Sequence, residues 1–232
     1  LGKESPTFIA ASGLTNLKAA VSDKDPDLNH SKWWLSVDEI KPDILDAAIA
    51  DSPESGDWTI PGNWVAVKVP GKVESNAAIS ELHPVYHCLR LLRFETQPSE
   101  DLMIELGEIS DRDETFFNGK PIGATGDWDS PQAQAYDEVR RYRIPKEYIE
   151  IDRPNTLVIR FKRYFKNSSG IVNGPVQIGT TKELQKNYYS RNYIKLLYLA
   201  FYSAVGLYFL FLYIRRRTHP ENFYFGTFVL VL

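Results

Sequence analysis

From Leu196 to Ile214 the chain runs through 19 consecutive residues without a formal charge, between Lys195 on one side and Arg215, Arg216 and Arg217 on the other. As a helix, such a run is about 28 Å long at about 1.5 Å per residue, the thickness of a bilayer's hydrocarbon core. Helices of soluble proteins normally keep a polar face, and this run has none. The segment 194–214 therefore reads as a transmembrane helix. Tyr188, Tyr189, Tyr193 and Tyr213 lie near its ends, where amphipathic rings favour the headgroup region, and the three arginines mark the cytoplasmic side. The residues before it then lie outside the cytoplasm. After a turn over 215–222, a new apolar run over 223–232 reads as the start of a second, antiparallel span. Ala200, Ser203, Ala204 and Gly206 offer small side chains where a neighbouring helix can come close.

Charge separates the remainder from this segment. Residues 1 to 191 carry 23 basic and 29 acidic side chains, a net of -6, which argues against a nucleic-acid partner. Cys88 is the single cysteine, so no intramolecular disulfide, four-cysteine zinc site or dithiol redox pair can form, and stability has to come from a packed core. The opening Leu1 to Ser12 lacks the basic start and long apolar stretch of a signal peptide and reads as a mature or trimmed beginning.

Between Trp58 and Gly179 the pattern is one of short strands separated by turn residues. Leu102, Ile104 and Leu106 alternate with Met103 and Glu105, and Leu157, Ile159 and Phe161 alternate with Val158 and Arg160, each a strand with one core face. Tyr86 to Phe94 places Cys88, Leu92 and Phe94 on one side and Leu89 and Leu91 on the other, as in a central strand covered on both faces. Trp64 to Val69 is a further strand, stopped by Pro70 and Gly71. Thr115 to Phe117 run into Asn118-Gly119, a dipeptide that tolerates positive φ and so predicts a tight hairpin turn. Tyr142 to Ile144 end at Pro145, and a short helical turn through Ile149 leads to Pro154. Many short strands with antiparallel connections predict a mainly β chain, a jelly-roll β-sandwich followed by a transmembrane α-helix. Residues 1–54 read as a lead-in or cap containing helices around Leu14 to Val21 and Val37 to Ala50. The sandwich is expected over 55–181 and a linker over 182–193.

Five motifs occur in a characteristic order: WTIPGNWVAVKVPG (58–71), YHCLRLLRF (86–94), DETFFNGKPIGATG (113–126), RRYRIP (140–145) and NTLVIRF (155–161). Together they resemble the galactose-binding-like jelly roll that glycoside hydrolase family 2 enzymes use as their sugar-binding domain. With SGIVNGPVQIG (169–179) and an apolar helix directly behind, residues 55 to 232 resemble more closely the outer domain of bacterial seven-transmembrane receptors with diverse intracellular signalling modules. The resemblance implies a periplasmic ligand-sensing domain on the bacterial inner membrane, with no enzyme activity or cofactor of its own. Its implied partners are a small ligand of carbohydrate type, membrane lipid and a second copy of the chain as a homodimer, and no nucleic acid. Two other readings are a membrane-anchored adhesion module and the sugar-binding domain of a larger glycoside hydrolase.

The acidic group Asp111, Asp113 and Glu114 invites a calcium or carboxylate-pair reading, since both need oxygens that converge. Strand alternation separates Glu114 from the other two, and no calcium loop follows. His83 and His87 have helical metal spacing, but Pro84 and the strand from Tyr86 deny them a common helical face. No catalytic or metal residues are therefore assigned. For ligand contact the loop from Gly126 to Tyr136 stands out: Asp127, Trp128 and Tyr136, followed by Arg140 and Arg141, offer the aromatic faces and planar polar groups that hold sugars. The alternative is that Trp128 folds over the sandwich as a plug and that the arginines pair with acids.

Overall fold

A computed structural model describes residues 7–9, 14–17, 33–50, 58–76, 83–132, 135–151, 153–166 and 168–231. The chain divides into two compact units, Leu1–Leu184 and Gln185–Leu232. The first unit is built of strands β1 (Thr7–Ile9), β2 (Leu14–Leu17), β3 (Trp33–Ser36), β4 (Trp58–Ile60), β5 (Val65–Val67), β6 (Val85–Phe94), β7 (Leu102–Ser110), β8 (Arg112–Phe117), β9 (Lys120–Thr125), β10 (Val139–Ile144), β11 (Asn155–Lys162), β12 (Gly170–Asn173) and β13 (Gln177–Thr180). One helix, α1 (Pro42–Ala50), interrupts the series after β3.

Two sheets form the sandwich. The larger runs β5-β3-β6-β11-β8-β9 with β2 also on β6; the smaller sets β10 on one side of β7 and both β12 and β13 on the other. The alternation read from the sequence decides which side chains meet between them. Cys88, Leu92 and Phe94 of β6, Leu157, Ile159 and Phe161 of β11, and Leu102, Ile104 and Leu106 of β7 share one core with Trp33 and Phe117. Each large apolar side chain taken from water there contributes about 1.5–3 kcal/mol. The opposite face of β6 and β11, with Leu89, Leu91 and Val158, is covered by Leu45 and Ile49 of α1 together with Trp34, Ile60 and Trp64. Asp46 fastens α1 to the sheet by pairing with Arg153 at 3.0 Å and accepting from the Thr156 hydroxyl at 3.0 Å.

The hairpin turn lies where Asn118-Gly119 predicts it, with φ of 48° and 71° and Phe117 opposite Lys120. The amino-terminal segment departs from expectation. Leu14–Leu17 is a strand rather than the start of a helix, pairing in parallel with Leu91 to Phe94; residues 18–21 lie outside the described ones. The second expected helix is confined to Pro42–Ala50, because Pro42 fits the first helical turn, where its missing N–H has no intrahelical partner to lose. Nor is 1–54 only a cap. β3 is inserted between β5 and β6, and Trp33 is fully buried in the inter-sheet core.

β13 passes directly into α2 (Thr181–Arg215), so the segment read as a linker, 182–193, lies within a helix. A capping box opens it: the Glu183 N–H donates to the Thr180 hydroxyl oxygen at 3.3 Å, and the Thr180 hydroxyl and N–H donate to the Glu183 carboxylate at 2.9 and 3.3 Å. In the second unit α2 pairs with α3 (Glu221–Val231). Gly206 and Gly226 bring the two backbones together; a Cβ on Gly226 would stand 2.9 Å from the Gly206 carbonyl. Phe209 and Phe225 meet edge-to-face beside them, with centroids 4.5 Å apart. Among the described residues α2 is the one helix long and apolar enough to cross a membrane.

Candidate ligand-binding site

The connections β7–β8 and β9–β10 are tied together by two buried arginines. Arg112 donates from Nη1 to the carbonyls of Asp127 (2.8 Å) and Ser130, and from Nη2 to the carbonyl of Gln132 (2.8 Å) and the Asp111 carboxylate (3.1 Å). The β9–β10 loop is thus wrapped around a guanidinium. Arg140 donates from Nε to Asp113 at 2.8 Å, from Nη1 to the carbonyls of Ala135 and Glu138, and from Nη2 to the Asp111 carbonyl at 2.7 Å. Asp113 also accepts from the hydroxyls of Thr115 (3.0 Å) and Tyr142 (2.8 Å), and Asp111 accepts from the Ala135 N–H at 3.1 Å. A buried charge is tolerated when it is paired and its donors and acceptors are met, and among these four residues Arg112 Nε is the one guanidinium nitrogen left without a partner.

This arrangement redistributes the residues expected to touch ligand. Arg140 is 1% exposed and turned inward, so it frames the loop from beneath and presents no surface; the inward direction follows from Asp113, the acid it neutralises. Trp128 is half-buried, with the Arg160 guanidinium 4.1 Å from its ring centroid and the Lys162 ammonium at 5.7 Å. Lys162 also donates to the Trp128 carbonyl at 2.8 Å, and Arg160 pairs with Glu114 at 3.0 Å. One face of the indole is therefore occupied by cations of β11. Asp127 is exposed, and its carboxylate accepts from the Asp129 N–H at 3.1 Å in a local turn. Arg141 is partly exposed beside Glu105, at 3.9 Å.

Tyr136 is open to solvent, 51% exposed, and stands edge-to-face with Phe165 at 5.5 Å; Phe165 in turn meets Tyr164 at 5.0 Å. Tyr164 and Phe165 escaped the sequence reading. Their signal was an aromatic pair just beyond the alternation of β11 and ahead of the polar stretch Lys166 to Ser169, where no core position accounts for it.

A separate cavity of about 730 Å³ opens between the sheets beside β5 and β12. Its walls include Val67, Val69, Phe161 and Ile171, with Lys68, Lys72, Ser75 and Asn76 as the polar residues. The segment after β5 is sewn to the opposite sheet by Gly71 N–H to the Ile171 carbonyl (2.8 Å) and Val73 N–H to the Ser169 carbonyl (2.9 Å). Cys88 lies on its inner wall, and burial pushes the thiol up to about 12, so it is no nucleophile at neutral pH.

No protein-family model matches the chain, and no curated protein matches it. Solved structures that resemble it include a GH2 beta-galacturonidase from Eisenbergiella tayi bound to galacturonate, at 13% identity and a TM-score of 0.45 over 68% of this chain and 24% of that one. A calcium-binding mutant of Bacteroides uniformis beta-glucuronidase 2 resembles it at 16% identity and a TM-score of 0.45, over 67% of this chain and 18% of that one. A Ruminococcus gnavus beta-glucuronidase in complex with uronic deoxynojirimycin follows at 12% identity and a TM-score of 0.41, over 65% of this chain and 23% of that one. The chain spans a quarter or less of the length of these enzymes.

Proposed function

We propose that this chain is the ligand-sensing part of a bacterial inner-membrane receptor, with the sandwich in the periplasm and a small carbohydrate-type ligand as its signal. The observation that carries the reading is α2. Leu196, Leu197, Leu199, Phe201, Leu207 and Phe211 are each more than half exposed, on faces pointing in different directions around one helix. Water is a poor solvent for such a surface and lipid a good one, and Arg215 to Arg217 set the orientation. No reaction is assigned to the chain.

Ligand would bind on the exposed aromatic group of Tyr136, Tyr164 and Phe165, with Asp127, Trp128 and Arg141 as further proposed contacts and Arg140 holding the β9–β10 loop from below. Aromatic faces cover the apolar face of a sugar ring while carboxylate and guanidinium groups meet its hydroxyls. Binding biases a two-state arrangement of the membrane helices through 182–193 only to the extent that ligand prefers one state. The test is thermal unfolding of the full chain in nonionic detergent against a panel of neutral mono- and oligosaccharides. A saturable rise that disappears in Tyr136→Ala with Phe165→Ala supports the reading; no rise with any sugar, or one that survives the double substitution, sinks it.

A further inference from the structure

Along the inward face of β6 the residues at every second position are Tyr86, Cys88, Arg90, Leu92 and Phe94. Four of the five belong to the inter-sheet core, and the fifth is a cation. Arg90 is 3% exposed, and its Nε and Nη1 are buried without a hydrogen-bond partner. Its register neighbour on β11 is Leu157, which offers no acceptor from its side chain. The contrast is with Arg112 and Arg140, equally buried, which donate to four acceptors each and leave between them only Arg112 Nε without one. Burial pulls the Arg90 guanidinium down to about 10, and it stays cationic at neutral pH. A buried charge with idle donors is a cost that a stable core avoids unless something arrives to meet it.

The cavity beside β5 and β12 is lined by Cys88 of the same face of β6, and Arg90 stands just behind that lining. Cys88 is on its wall, and Arg90 follows two residues later on the same face, about 7 Å along the strand. The two side chains are near enough that the guanidinium opposes the rise in the thiol's pKa. Lys68 and Lys72 add positive charge to the lining, which holds no Asp or Glu among the described residues. Its size, about 730 Å³, is that of a pocket for a small organic molecule.

We propose that this cavity is a second ligand site, taking a small organic monocarboxylate whose carboxylate is drawn past Lys68 and Lys72 and completes the hydrogen bonding of Arg90. A monoanion balances the single buried guanidinium, whereas a dianion would leave surplus buried charge; the two lysines are exposed and remain solvated. The site shares none of its lining residues with the aromatic group around Tyr136.

The experiment is thermal unfolding of the full chain in nonionic detergent at constant ionic strength, with acetate, benzoate and glucuronate as probes and glucose and inorganic phosphate as comparators. At least one carboxylate is expected to raise the midpoint saturably by several degrees, with neither comparator doing so. Arg90→Met should abolish that rise, and in the absence of probe should itself unfold at a higher temperature than the parent, because it deletes an unpaired buried charge. Lys68→Gln with Lys72→Gln, both at exposed positions, should raise the half-saturating concentration severalfold without removing the response. Tyr136→Ala should leave it unchanged, which separates this site from the sugar reading. The proposal is overturned if no carboxylate shifts the parent, if the shift survives Arg90→Met, if phosphate matches the carboxylates, or if Arg90→Met lowers the stability of the probe-free chain.

Discussion

His87 should make the sandwich acid-sensitive well above the range in which carboxylates titrate. It lies on β6, paired in register with Ser36 and Arg160, and is 2% exposed with Nδ1 lacking a partner. Burial, reinforced by the positive charge of Arg160, pulls its pKa from 6.5 to about 4, against the opposing pull of Glu39 and Asp38. The folded state therefore binds this proton less readily than the unfolded chain does. The stability it protects is fully present above about pH 6.5–7 and is lost as pH falls from 6.5 towards 4. With these two pKa values the loss between pH 7 and pH 5 is about 2 kcal/mol, or about 4–8 °C in midpoint for a domain of this size. The perturbation is His87→Gln, which keeps the side chain's approximate length and polarity but cannot titrate. Midpoints of the full chain in detergent, followed by tryptophan fluorescence at pH 7, 6 and 5, should fall more steeply for the parent than for the variant, with a difference of about 2 kcal/mol accumulated by pH 5. Carboxylates contribute equally to both proteins and cancel. Parallel pH profiles would refute the assignment, because the proton taken up on unfolding would then belong to another group.

Three further outcomes follow from the packing and the buried pairs. Trp33→Ala removes the largest fully buried side chain from the inter-sheet core and should cost about 3–5 kcal/mol in denaturant unfolding, with the slope unchanged. Arg140→Met strands the Asp113 carboxylate, whose side chain is 0% exposed, and should cost about 3–5 kcal/mol; adding Asp113→Asn should recover part of that loss in a double-mutant cycle. Gly226→Val places a side chain against the Gly206 carbonyl and Leu210, and should lower the SDS fraction at which circular dichroism reports loss of the α2–α3 pair.

What the sequence disclosed followed its periodicity. β6 was legible with both faces because Cys88, Leu92 and Phe94 and then Leu89 and Leu91 take alternate positions, and they do pack into separate cores. The turn at Asn118-Gly119 was legible because few dipeptides accept two positive φ angles. The arginine frame was not. Arg140 and Asp113 are 27 residues apart, and nothing local distinguishes an arginine that will meet a buried acid from one that will face water. Trp128 was read both as a ligand platform and as a plug, and its packing against Arg160 and Lys162, residues far away in the chain, was not legible. At the amino terminus, Leu14–Leu17 and Trp33–Ser36 are each four residues long, too short for a period to declare itself, and their conformation is imposed by β6.

The insertion of β3 between β5 and β6 bears on how this domain may be cut. A fragment beginning at residue 55, where the sandwich motifs start, would discard both strands that satisfy the outer side of β6, at Leu91 to Phe94 and at His87 to Leu89. It would also take from β5 its single sheet partner among the described residues and remove Trp34, Leu45 and Ile49 from the cover over Leu89, Leu91 and Val158. What remained would carry a long row of unpaired N–H and C=O groups on a continuous apolar strand, a template for self-association between copies. Expressed alone, such a fragment should precipitate as intermolecular β-sheet, while one that retains the first 54 residues stays dispersed.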